Sequence, residues 1–176
     1  MRIFFILLTF LGFSYQQLLG EENFILIDGS TSEIIKKFGS SIEERVTPAS
    51  SFKIVLSLMG YDTGTLQNEQ TPTWHFQQGY DDFLESWKRS QTPQTWMNRS
   101  CIWFSKIIAL QLGLETIEQY LSSFEYGNQD FSTGMVSPGS TNPAWVSSSL
   151  KISPKEQVEF IQKMIREKLP ISSNAL

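Results

Sequence analysis

The chain has 176 residues, of which 40% are apolar, 13% aromatic and 18% charged, enough for one sizeable core and without the compositional marks of disorder. A net charge of -4, with no lysine or arginine stripe interleaved with aromatics, gives no basic field for phosphates, so nucleic acid is not an expected partner. One cysteine, Cys101, and one histidine, His75, exclude an internal disulfide and leave too few soft ligands for a typical zinc site, so the chemistry is expected to use no metal.

Residues 1–20, MRIFFILLTFLGFSYQQLLG, pair a positive start at Met1 and Arg2 with an apolar run from Ile3 to Phe13 and a polar stretch before Leu18-Leu19-Gly20. That is the layout of a secretory signal peptide, too short for a stable membrane span. Leu18 stands where a small residue is preferred, which leaves a retained anchor as the alternative. With cleavage, residues 21–176 form the mature chain, with no membrane span and a periplasmic location.

The elements follow in order. Asn23 to Asp28 reads as a strand, Gly29-Ser30-Thr31 as a turn and Glu33 to Phe38 as the return strand, making an N-terminal hairpin. The segment 46-VTPASSFKIVLSLMG-60 predicts a helix apolar nearly all round, hence buried, ended by Gly60. Residues 61–95 are mixed, with a short aromatic amphipathic segment, 80-YDDFLESWKRS-90, and 92-TPQTWMNRS-100 leads to the next core helix without an element of its own assigned. A core helix follows from Ile102 to a cap at Gly113, and then a second, 114-LETIEQYLSSF-124. Cys101 reads as a small buried helix residue and His75 as partly buried or on the surface. The stretch from Glu125 to Trp145 is longer than a simple connection needs, the kind of loop that usually has a task. Last comes a helix with Ser153 as N-cap, Pro154 at its first position and Glu156 closing a capping box, stopped by Pro170.

Within the buried helix, Ser50 and Lys53 carry the candidate chemistry. A serine hydroxyl is a poor nucleophile until a base takes its proton, and a lysine three residues on lies on the same face. Burial disfavours the ammonium form, so the amine can be neutral near pH 7. The spacing alone is weak: it should occur roughly once by chance in a chain of this length. Indeed Ser148 and Lys151 repeat it in a polar stretch that reads as solvated surface. Spacing and burial together leave Ser50 and Lys53 open between a catalytic pair and a coincidence.

Read with their neighbours, the segments 45-RVTPASSFKIVLSL-58, 100-SCI-102, 126-YGN-128, Trp145 and 150-LKISPKEQVEF-160 resemble the class D serine β-lactamases, the oxacillinase group, in order and spacing. The resemblance implies an α+β fold of the β-lactamase/penicillin-binding type with a largely antiparallel sheet. It implies hydrolysis of β-lactam antibiotics through a serine acyl-enzyme, with Ser50 as nucleophile and Lys53 as general base. In that group the base is an N-carboxylated lysine made with carbon dioxide, and no other cofactor is implied. Ser100 would shuttle a proton to the β-lactam nitrogen, Trp145 would donate its indole N–H to the carbamate, and Ile102 and Val146 would line the pocket. Tyr126-Gly127-Asn128 reads as a structural turn beside the site. The group's third motif, Lys-Thr-Gly, does not occur in the sequence. The expectation is therefore the N-terminal part of such an enzyme, its closing strands absent and by itself poorly folded or inactive. The competing reading is a penicillin-sensing receptor domain, acylated at the same serine without turnover.

Overall fold

The computed structural model describes residues 22–134 and 136–176, so the expected signal peptide at 1–20 lies outside the described residues. The chain divides into two units, residues 1–42 and 43–176. In the first, β1 (Phe24–Ile27) and β2 (Ile34–Phe38) pair antiparallel, Phe24 opposite Phe38 and Leu26 opposite Lys36, with an irregularity between Leu26 and Ile27. The turn is set by Asp28, whose carboxylate accepts from the backbone N–H groups of Ser30 at 2.7 Å and Thr31 at 2.8 Å and from the Ser30 hydroxyl at 2.5 Å. Such local acceptance is why aspartate recurs in turns. The hydrogen bonds, that of the Ser30 hydroxyl foremost, lower the carboxyl to about 2.

The second unit is helical: α1 (Phe52–Asp62), α2 (Pro93–Arg99), α3 (Ile102–Leu112), α4 (Leu114–Ser123), α5 (Ala144–Ser147) and α6 (Pro154–Ile165). Helix α1 buries Phe52, Lys53, Val55, Leu56, Leu58, Met59 and Gly60, as its lack of a polar face requires. Gly60 does not end this helix, which runs on to Asp62. It sits under Leu66, where an added Cβ would lie 2.8 Å from Leu66 Cδ1, so the missing side chain makes room for packing. The segment 92–100, to which the sequence assigned no element, holds helix α2 with Thr92 and Ser100 as its caps. Thr92 and Thr95 exchange side-chain-to-backbone hydrogen bonds in a capping box and Pro93 occupies the first turn.

The amphipathic stretch 80–90 yields only a 3-10 turn at Glu85–Trp87. Its Trp87 is nonetheless buried and donates its indole N–H to the Arg99 carbonyl at 2.8 Å. Trp96 donates to Ser105 Oγ at 2.8 Å and Trp103 to the Trp87 carbonyl at 3.0 Å, so these large rings enter the core with their polar edges satisfied. Gly113, with φ +80, separates α3 from α4. Helix α6 has the expected reciprocal Ser153–Glu156 box but ends at Ile165, short of Pro170. Glu156 also receives Arg45 at 2.5 Å, and that contact comes first among the causes lowering its carboxyl to about 2.

Two connections frame what lies near Ser50. Val46 and Ile152 bond both ways, N to O at 3.1 and 2.8 Å, tying the approach to α1 to the end of the long loop. The tripeptide 126–128 clasps that end too. Asn128 N–H donates to the Lys151 carbonyl at 2.9 Å, Lys151 N–H donates to Asn128 Oδ1 at 2.9 Å, and Asn128 Nδ2 donates to the Ser149 carbonyl at 2.8 Å. Gly127 stands between with φ +54, and a Cβ there would fall 2.1 Å from the Lys151 carbonyl oxygen.

Candidate active site

Ser50 is not on the α-helix itself. It lies on the 3-10 turn Ala49–Ser51 that leads into α1, where three residues per turn place side chains i and i+3 one above the other. Lys53 therefore stands over Ser50, Nζ to Oγ 3.3 Å. Ala49, just before the serine, has φ +48, a left-handed backbone that an alanine adopts only when its surroundings force it. Ser50 itself is exposed, as its candidate role requires, while Lys53 is 4% exposed.

Ser100 arrives from the junction of α2 and α3. It caps α2 with φ +52, again left-handed, and its Oγ lies 2.8 Å from Ser50 Oγ. The two hydroxyls and one amine thus form a continuous array, assembled from positions 50 residues apart in sequence. Desolvation is the leading influence on Lys53 and lowers its amine from 10.5 to about 8. A minor Coulombic contribution from Cys101 opposes it. Burial pushes the Cys101 thiol up to about 12, so this cysteine, fully buried just before α3, is protonated packing.

Trp145 lies on α5 and is 1% exposed. Its ring sits 5.4 Å from that of Phe52, the neighbour of Lys53, and stacks on Phe131 at 5.9 Å and 18°. The long loop thereby returns an aromatic to the head of α1. Ile102 and Val146 are half-buried, both against the same apolar core. The other Ser-x-x-Lys pair behaves differently: Lys151 is exposed, and Ser148 bonds to Thr133 Oγ1 at 2.5 Å. His75 is exposed and bonds to Ser90 Oγ at 2.8 Å. A groove of about 390 Å³ runs along the Ile54, Ser57, Leu58 and Tyr61 face of α1, and none of the candidate site residues lines it.

One pair escaped the sequence reading. Lys106 in α3 is 1% exposed and bound to Asp81 at 2.9 Å. Its signal was the one that marked Lys53, a cation within an apolar helical run, here WFSKIIAL. Its acidic partner comes 25 residues earlier, in a stretch where no periodicity points to it.

An exposed hydroxyl, a desolvated amine above it and a second hydroxyl within a proton's reach are the arrangement that serine acyl transfer requires. The family comparison agrees: the penicillin binding protein transpeptidase domain matches residues 24–173, and the chain belongs to that family, in its class D β-lactamase group. It is 38% identical over 154 residues to β-lactamase OXA-1 of Escherichia coli, covering 87% of this chain and 55% of that protein. It is 37% identical over 152 residues to β-lactamase OXA-9 of Klebsiella pneumoniae, covering 86% and 55%. Among solved structures, the class D β-lactamase OXA-427 superposes with a TM-score of 0.77 at 42% identity, covering 86% of this chain and 62% of that one. The class D enzyme of Bacillus subtilis gives 0.76 at 31%, covering 89% and 63%. The chain spans about half the length of the curated relatives it matches. The expected β-lactamase/penicillin-binding fold is borne out, with a helix-rich body and a small antiparallel sheet among the described residues.

Proposed function

We propose that the protein hydrolyses β-lactams through an acyl-enzyme on Ser50. The observation that carries this reading is the array of Lys53 Nζ, Ser50 Oγ and Ser100 Oγ at 3.3 and 2.8 Å, with the amine buried. Ser50 Oγ attacks the lactam carbonyl carbon and gives up its proton toward Lys53. The ring C–N bond then breaks while Ser100 passes its hydroxyl proton to the departing nitrogen and is reprotonated from the Lys53 side. Water next attacks the ester carbon, releasing the ring-opened acid and restoring Ser50.

The residues present also fit carboxylation of Lys53. Only an uncharged amine combines with carbon dioxide, and an amine lowered to about 8 keeps roughly a tenth of its population uncharged at pH 7, against well under a thousandth for an ordinary lysine. Lys53 would hold the carboxyl group, with Trp145, Ile102 and Val146 as its surroundings. When present, that group supplies a base for the Ser50 proton. The charged start and apolar run of the N-terminal twenty residues support export of the enzyme to the periplasm. Among the described residues no helix is long and apolar enough to cross a membrane.

The test is incubation of the full-length protein with excess penicillin, following the Ser50 adduct by mass spectrometry. An adduct that forms and decays over repeated turnovers supports hydrolysis. An adduct that persists for hours overturns it in favour of a penicillin sensor.

A further inference from the structure

The ion pair of buried Lys106 with half-buried Asp81 has no place in the chemistry above. Lys106 Nζ donates to Asp81 Oδ1 at 2.9 Å and to the Ser140 carbonyl at 3.1 Å, and Asp81 Oδ2 accepts from the Gly139 backbone N–H at 3.0 Å. Gly139 has φ +79, and a Cβ on it would fall 1.7 Å from the Gly79 carbonyl oxygen. The loop is thus fixed at 139–140, backbone against backbone, a few residues before it delivers Trp145. Helix α3, which carries Lys106, opens beside Ser100 and carries Ile102 in its first turn. One helix therefore presents pocket residues at its head and anchors the Trp145 loop a turn further on.

Stability alone is a weak reason for such a pair, because desolvating a buried ammonium and a largely covered carboxylate offsets most of their attraction. A role in placing groups accounts for it better.

We infer that Lys106 and Asp81 are positioning residues for carboxylated Lys53, fixing the loop that seats Trp145. This rests on the carboxylated-lysine reading above. The test is titration of the full-length enzyme with ¹³C-bicarbonate, counting the lysine carbamate by ¹³C NMR, alongside kcat for a penicillin. Lys106→Met should need about tenfold more bicarbonate or more for half occupancy, the scale on which outer-shell supports usually act. Its kcat should fall at ambient bicarbonate and recover at saturation, and Lys106→Arg should restore most of the affinity. If Lys106→Met fails to fold, the double variant Asp81→Asn/Lys106→Met, which buries no unpaired charge, decides through the same titration. Unchanged bicarbonate affinity in a folded variant overturns the inference, as does a lower kcat that bicarbonate does not rescue. A carbamate signal missing from the unsubstituted enzyme would remove the underlying reading, and the inference with it.

Discussion

Replacing Lys53 by methionine should make the protein more stable while removing its chemistry. The side chain is 4% exposed, and burial lowers its amine from 10.5 to about 8, a difference worth roughly 3 kcal/mol between the two protonation states. Below pH 8 the lysine is protonated in both folded and unfolded chains, so the folded state carries the whole penalty. Between pH 8 and 10.5 the folded amine is already neutral while the unfolded one still binds its proton, so stability rises with pH. Above 10.5 the penalty is gone. Methionine has similar reach and no charge, and its loss of the 3.3 Å contact to Ser50 forfeits about 1 kcal/mol. Lys53→Met should therefore gain about 2 kcal/mol at pH 7 in buffer freed of carbon dioxide, a gain that vanishes by about pH 10.5. Urea denaturation of the full-length protein followed by circular dichroism, repeated from pH 6 to 11, measures it. With about 1–3 kcal/mol per molar urea, the midpoint at pH 7 should rise visibly. Adding bicarbonate should stabilise the unsubstituted protein and leave the variant unmoved, since only a folded, neutral amine binds carbon dioxide well. A variant that is no more stable at pH 7, or whose advantage does not change with pH, would refute the account of Lys53 as a desolvated amine.

Three further outcomes follow from single contacts. Gly127→Ala should destabilise by about 3 kcal/mol or more and lower Tm sharply, because both the backbone angle and the Lys151 carbonyl forbid a Cβ; a Tm within a degree of the parent would contradict the clasp. Ser100→Ala should slow acylation by about a hundredfold while leaving the urea midpoint nearly unchanged, as stopped-flow with a chromogenic β-lactam would show; unchanged acylation would remove Ser100 from the proton path. Glu156 is held at about 2 chiefly by Arg45, so its contribution is present above its ordinary value near 4.5 and is lost as pH falls through 2. Arg45→Gln should lose about 1 kcal/mol at pH 7, since the pair is partly solvated, and should unfold at higher pH in an acid titration.

What the sequence made legible followed from burial pattern and cap chemistry. The α6 boundary at Ser153-Pro154 was readable because serine, proline and glutamate there each satisfy a defined backbone need. The α1 helix was readable because it lacks any polar face. The end of α1 was misjudged because glycine serves two purposes, terminating helices and admitting close neighbours, and Leu66 decides which applies at Gly60. Helix α2 was missed because its capping box closes with Thr95 instead of glutamate or glutamine. At the site, residue identities were readable and their assembly was not. Nothing local announces that Ser100 adopts φ +52 and turns its hydroxyl to Ser50, because that angle is imposed by α2 and α3 packing on either side. The Lys106–Asp81 pair was hidden for the same reason, its partners meeting only once the chain is folded.

The left-handed angles at Ala49 and Ser100 bear on any attempt to transplant this site. A regular helix carrying serine and lysine three residues apart would copy the motif and miss the device, since here the serine precedes the helix and its partner sits where another helix has stopped. Each of those conformations is worth about 1–3 kcal/mol of strain, which a small scaffold with little stability to spare cannot sustain. The portable unit is accordingly not a tripeptide spacing but two distorted junctions held face to face by the aromatic core behind them, and a donor scaffold would have to supply both.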